Sequence, residues 1–147
     1  MSSVLIVDDE SGIRELLARW TSAAGYSIRE APDAETALAE MSRGAADVVL
    51  CDIEMPGHGG LWLAEQLRER YPNTAIVLAT AVDSVPPTTS FKPGIVEYLV
   101  KPFARNLVLN AVSQGLAWRA AAIARGPATP ADPEAMAKWL DSTIDDH

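Results

Sequence analysis

Four apolar runs in this chain each stop at a residue that carries chemistry, and that pattern constrains the fold more than any other feature. Val4-Leu5-Ile6-Val7 stops at Asp8-Asp9, Val48-Val49-Leu50-Cys51 at Asp52, Ala75-Ile76-Val77-Leu78-Ala79 at Thr80, and the mostly apolar Ile95 to Val100 at Lys101-Pro102. Hydrophobicity that is continuous rather than alternating fits strands buried on both faces of a parallel sheet. In such a sheet the carboxyl ends of the strands share one rim, so these side chains can converge there. Three carboxylates, a hydroxyl and an ammonium on one rim suggest a divalent cation and a phosphoryl group.

Helical patterns alternate with the strands. Ile13, Leu16, Leu17 and Trp20 recur at helical spacing between about Glu10 and Ala24, and Gly25 ends that helix. Tyr26 to Arg29 reads as a weaker, more exposed strand. Asp33 caps a second helix with Ala34, Ala37, Leu38 and Met41 on its inner face and Gly44 at its end. The loop Glu54-Met55-Pro56-Gly57-His58-Gly59-Gly60 is too rich in Gly and Pro to be regular. A third helix follows from about Leu61 to Arg70, and a long last helix from about Ala104 to Ala124. Between Val82 and Gly94, where another helix is due, Pro86-Pro87 and Lys92-Pro93-Gly94 leave room for at most an irregular turn of helix. Five strands alternating with helices predict an α/β sheet covered on both faces.

The bulk properties narrow the classes. The chain of 147 residues suffices for one domain with a substantial core. It is 48% hydrophobic and 22% charged, which argues against disorder. A net charge of -8 disfavours nonspecific nucleic-acid binding, and no helix-turn-helix pattern follows the sheet, so no direct nucleic-acid contact is expected of this chain. The N-terminus has no basic segment before its apolar run, and no stretch is long and apolar enough to span a bilayer. The expected compartment is the cytoplasm, with no membrane partner. The single cysteine, Cys51, reads as a small buried hydrophobe rather than a redox group. His58 lacks a second His or Cys nearby and reads as a solvated loop residue, while Trp20 and Trp62 read as packing or surface groups.

A carboxylate can attack a phosphoryl group and hold it as an acyl phosphate, provided that positive charge neutralises the two anions. Asp8, Asp9, Asp52, Thr80 and Lys101 contain the parts for that reaction. At these residues the chain resembles the receiver domain of two-component response regulators. The resemblance rests on Val4-Leu5-Ile6-Val7-Asp8-Asp9-Glu10, on Asp52 with Met55-Pro56-Gly57, on Thr80-Ala81, and on Tyr98-Leu99-Val100-Lys101-Pro102-Phe103, and it covers about Val4 to Ala124. It implies a flavodoxin-like doubly wound five-stranded parallel sheet of order 2-1-3-4-5, here with an irregular fourth helix. It further implies that Asp52 is the phosphoacceptor and that Asp9, Asp8, Asp52 and the backbone carbonyl of Glu54 hold Mg²⁺ or Mn²⁺. By the same resemblance Thr80 would bind a phosphoryl oxygen, Lys101 would pair first with Asp52 and then with the phosphoryl group, and Tyr98 would be the switch aromatic. The Lys101-Pro102 peptide is expected to be cis.

Three departures from the family pattern stand out. Gly59-Gly60 replaces the usual Asp-Gly before the third helix, the fourth-helix region is rich in proline, and Glu54 and Val82 occupy the places that flank the attacking water. The resemblance implies a sensor histidine kinase or histidine phosphotransfer protein as donor. The output would be a downstream protein or a fused output domain. The last long helix carries more apolar surface than one sheet face requires, which favours a homodimer through it or cover from the tail. Residues 1–125 read as the domain. Residues 126–147, with Pro127, Pro130 and Pro133 and then Met136, Trp139 and Leu140, read as a linker and short helix that either docks back or leads toward an output domain. Two alternatives stay open: a Mg²⁺-dependent phosphohydrolase with an Asp nucleophile, and a degenerate receiver acting as a phosphorylation-independent interaction module.

Overall fold

The computed structural model describes residues 1–81 and 93–126. The expected irregular helix between Val82 and Gly94 and the expected tail helix near Trp139 lie outside the described residues, apart from Pro93 and Gly94. Nine elements follow one another among the described residues: β1 (Ser3–Val7), α1 (Ser11–Ala23), β2 (Ser27–Ala31), α2 (Ala34–Arg43), β3 (Val48–Asp52), α3 (Gly60–Arg70), β4 (Ala75–Thr80), β5 (Ile95–Val100) and α4 (Arg105–Arg125). All strand pairs are parallel and the sheet order is β2-β1-β3-β4-β5. This is the doubly wound order that the motifs imply.

The continuous apolar runs fold as they do because alternate residues enter two separate cores. Leu5, Val7, Val49, Cys51, Ile76 and Leu78 face the layer of α2 and α3, where they meet Met41, Leu63 and Leu67. Val4, Ile6, Val48, Leu50, Val77 and Ala79 face the other layer and meet Leu17, Val108 and Val112 of α1 and α4. A central strand therefore has no solvent face on which a polar residue would be free of desolvation cost. The edge strand β2 is more exposed, and its composition, Ser-Ile-Arg-Glu-Ala, is correspondingly mixed. Helix α4 approaches β3 and β4 closely at Gly115, where an added Cβ would sit 3.1 Å from the Ala75 Cβ and 3.3 Å from Val48. Even a methyl there would force Ala75 or Val48 to give by a few tenths of an ångström.

Local polar chemistry fixes both ends of α2. Asp33 caps α2 by accepting from the Thr36 amide at 2.7 Å, and that bond holds its carboxyl below the usual carboxylate range. Arg29 donates to the Glu40 and Gly44 carbonyls at the other end of α2, where a cation suits the helix dipole. Arg119 of α4 pairs with Asp47 at 3.0 Å and donates to the Asn73 carbonyl, clamping α4 to the loops at the amino ends of β3 and β4.

Candidate functional site

Register decides what meets at the carboxyl rim. Val7 pairs with Cys51, Asp52 with Ala79, and Thr80 with Val100. One step beyond these pairs, Asp8 lies beside Asp52, and the Lys101 amide donates to the Thr80 carbonyl at 2.8 Å. Each apolar run ends within one residue of its neighbour, a stagger of two residues across the four strands, so their terminal side chains share one volume.

Asp8 and Asp52 are held in the same way. Each offers its Oδ1 to the backbone amide two residues on: Glu10 N–H to Asp8 at 2.9 Å and Glu54 N–H to Asp52 at 3.2 Å. These local turns fix both carboxyl groups. Each then directs Oδ2 toward the Lys101 ammonium, at 3.5 Å from Asp8 and 3.2 Å from Asp52. Glu10 adds a third, weaker carboxylate contact to the same ammonium at 3.9 Å. Asp8 and Asp52 are buried while Asp9 is exposed, yet carboxylate oxygens of all three lie within 4.8 Å of one another. The Lys101-Pro102 peptide is cis.

The electrostatics follow from this geometry. Burial pushes the Asp52 carboxyl above its ordinary range, and neighbouring Asp8 adds to the rise. The Glu54 amide and Lys101 oppose the rise without cancelling it. For Lys101, burial pulls the ammonium down, but Asp8, Asp52 and Glu10 together leave it above its usual value and firmly charged. Cys51 is buried and its thiol is driven far up, by burial first and then by Asp52 and Asp8. A thiol held protonated is neither a metal ligand nor a nucleophile, in keeping with its packing role.

Asp8, Asp9 and Asp52 form a hard, anionic, all-oxygen donor set with one open, exposed member. That set suits Mg²⁺ or Mn²⁺, which take carboxylates and keep several waters. Asp52 is backed by a close approach of chain to chain. An added Cβ on Gly60 would collide with the Asp52 carbonyl oxygen and lie 2.8 Å from its carbonyl carbon. The Gly60 amide also donates to the Ile53 carbonyl at 2.9 Å. Gly59, at the N-cap of α3, provides no side-chain bond.

The rim matches the receiver-domain pattern, and so does the sequence: the model for the response regulator receiver domain matches residues 4–113. The chain belongs to the response regulator receiver domain family. Among curated relatives, this receiver is 34% identical over 110 residues to the transcriptional regulatory protein ResD of Bacillus subtilis, covering 74% of this chain and 46% of ResD. It is 36% identical to the sensory transduction protein RegX3 of Mycobacterium tuberculosis, covering 74% of this chain and 48% of RegX3. The receiver chain thus spans about half the length of these relatives. Among solved structures, it superposes on the response regulator TrrA of Thermotoga maritima in complex with Mg²⁺-BeF. That match has a TM-score of 0.72 and 37% identity, and it covers 79% of this chain and all of TrrA. The chemotaxis protein CheY4 of Vibrio cholerae gives a TM-score of 0.72 at 30% identity, covering 79% of this chain and 99% of that one.

The structure brings Asp8, Asp9, Asp52, Thr80, Glu54 and Lys101 of this receiver to one rim. Tyr98 lies elsewhere, on β5 two residues before its end, half-buried against the α2–α3 core. It helps to line a cavity of about 260 Å³ with Leu99, Phe103 and Leu107. Four contacts escaped sequence reasoning. The Thr80 hydroxyl donates to the Glu54 carboxylate at 3.2 Å, and Arg14 donates to the Asp8 carbonyl at 2.8 Å while pairing with Glu30. His58 is exposed, as expected, but its ring stacks on Trp62 at a centroid distance of 3.8 Å. The position of Glu54 two residues after Asp52 was a signal that its side chain borders the site; nothing in the pattern pointed to Arg14 or to the stack.

Proposed function

We propose that this receiver accepts a phosphoryl group on Asp52 from a phosphohistidine donor, a sensor histidine kinase or a histidine phosphotransfer protein, and relays the change to an output. An Asp52 carboxylate oxygen attacks phosphorus, an O–P bond forms, the N–P bond of phosphohistidine breaks, and imidazole departs. The observation that carries this reading is the Lys101 ammonium within 3.5 Å of two buried carboxylates, beside an exposed third. Lys101 offsets the anionic nucleophile before transfer and is placed to pair with phosphoryl oxygens after it. Asp8, Asp9, Asp52 and the Glu54 backbone carbonyl would hold Mg²⁺ or Mn²⁺. When bound, the cation supplies charge neutralisation for the developing phosphoryl group.

Thr80 would donate its hydroxyl to a phosphoryl oxygen, and Tyr98 would respond by repacking on the β4–β5 face. Moving such a switch from 1:99 to 99:1 requires about 5.5 kcal/mol of differential stabilisation. Residues 1–125 would form the signalling domain, and residues 126–147 would link it to a downstream protein or a fused output domain. Exposed Leu107 and Ile123 on α4 support a homodimer through that helix, checked by sedimentation at high concentration. No described helix is long and apolar enough to cross a membrane.

Intact mass after incubation with Mg²⁺ and acetyl phosphate tests the proposal. The parent should gain one phosphoryl group and Asp52→Asn none. Equal labelling of both would sink the assignment of Asp52. Turnover of a small phosphate ester with no retained label would favour the phosphohydrolase reading instead.

A further inference from the structure

Thr80 ends β4 with no exposed surface, so its hydroxyl must find a partner within the protein. It donates to Oε1 of Glu54 at 3.2 Å. Glu54 is exposed and reaches in from the loop after β3, and its own amide is tied to Asp52 Oδ1. One residue therefore touches the proposed acceptor through its backbone and the proposed switch hydroxyl through its side chain. A threonine hydroxyl has a single proton to give. Glu54 Oε1 and a phosphoryl oxygen on Asp52 are both anionic acceptors, and they would call on the same proton.

We propose that Glu54 is a built-in competitor for Thr80. Its carboxylate holds the hydroxyl in the unphosphorylated receiver and must release it before Thr80 binds a phosphoryl oxygen. Glu54 is then a positioning residue that acts through Thr80 and sets how readily the site engages a phosphoryl group. This rests on the proposed function above. A receiver with part of its Thr80 population held back binds a phosphoryl mimic more weakly by that fraction. For a partly solvated hydrogen bond the effect is about three- to tenfold.

Direct repulsion between Glu54 and the incoming anion would act in the same direction, so the test must separate the two. Beryllium fluoride with Mg²⁺, the combination bound by TrrA, is the probe. Its apparent affinity is measured for the parent, Glu54→Gln, Glu54→Ala, Thr80→Val, Thr80→Ser and the four double variants. Glu54 is exposed, so its substitutions leave the core intact; Thr80→Ser, which keeps the hydroxyl, is the conservative control, and Thr80→Ala replaces Thr80→Val if the latter misfolds. Removing the Glu54 carboxylate should tighten binding about three- to tenfold in the parent and Thr80→Ser backgrounds and by less than about twofold where the hydroxyl is absent. Equal tightening with and without the hydroxyl would assign the effect to charge repulsion and overturn the proposal. No tightening in any background would overturn it as well. If the parent fails to bind the probe, or Asp52→Asn binds it equally well, the phosphoacceptor reading itself falls, and the role of Glu54 with it.

Discussion

The middle and the end of the central strands are buried alike, yet burial has opposite consequences in the two places. In the middle, Leu50 and Leu78 lie against helices on opposite faces of the sheet, and removal from water stabilises the fold. At the end, Asp52 and Thr80 are just as hidden, at 3% and 0% exposure. There burial disfavours the charged state of Asp52 and demands a partner for every polar atom. Lys101 and the Glu54 amide give both Asp52 oxygens a partner, yet they offset the cost of burying its charge only in part, since the carboxyl stays above its ordinary range. The core therefore carries a rim that is held in place against its own preference, a common condition for a reactive site.

Substitutions can break that contrast in graded ways. Leu78→Ala should give the largest effect, a loss of about 3 kcal/mol in urea unfolding, because it leaves a cavity in the α2–α3 core. Folded protein should still label at Asp52, since no rim atom is removed. Gly60→Ala should come next. Its methyl meets the Asp52 carbonyl, so we expect about 1–3 kcal/mol of destabilisation. It should also slow labelling of Asp52 by at least about tenfold, because small misplacements of a reacting group are costly. Labelling at the parental rate would show that the close approach does not position the acceptor. Asp33→Ala, a cap remote from the rim, should cost about 1 kcal/mol and leave labelling unchanged.

The smallest effect should have the reverse sign. The Asp52 carboxyl is raised in the fold, so its favourable contribution is present below its unfolded value and is lost as pH rises through the raised folded value. With cations removed by EDTA, Asp52→Asn should therefore match the parent below about pH 4 and become slightly more stable at neutral pH. A parent that is the more stable of the two at neutral pH would show that Lys101 compensates the buried charge fully.

The amino-acid sequence by itself determined the strands and helices of the described residues and the identity of the rim residues. A run such as Val4 to Val7 has no polar member to place in water, so it can only be a central strand, and a buried strand that ends in Asp must deliver that Asp to the sheet's edge. Caps such as Asp33 and Gly44 are equally local and equally readable. Tertiary structure alone decided how far each side chain reaches and whom it meets. That Lys101 lies between Asp8 and Asp52 depends on a register set across three strand pairings, and that Glu54 accepts a hydrogen bond from Thr80 depends on the path of the loop after β3. Hydrophobic periodicity encodes which face a residue occupies, whereas a contact between residues 26 or 49 positions apart exists only once the sheet has brought their strands together.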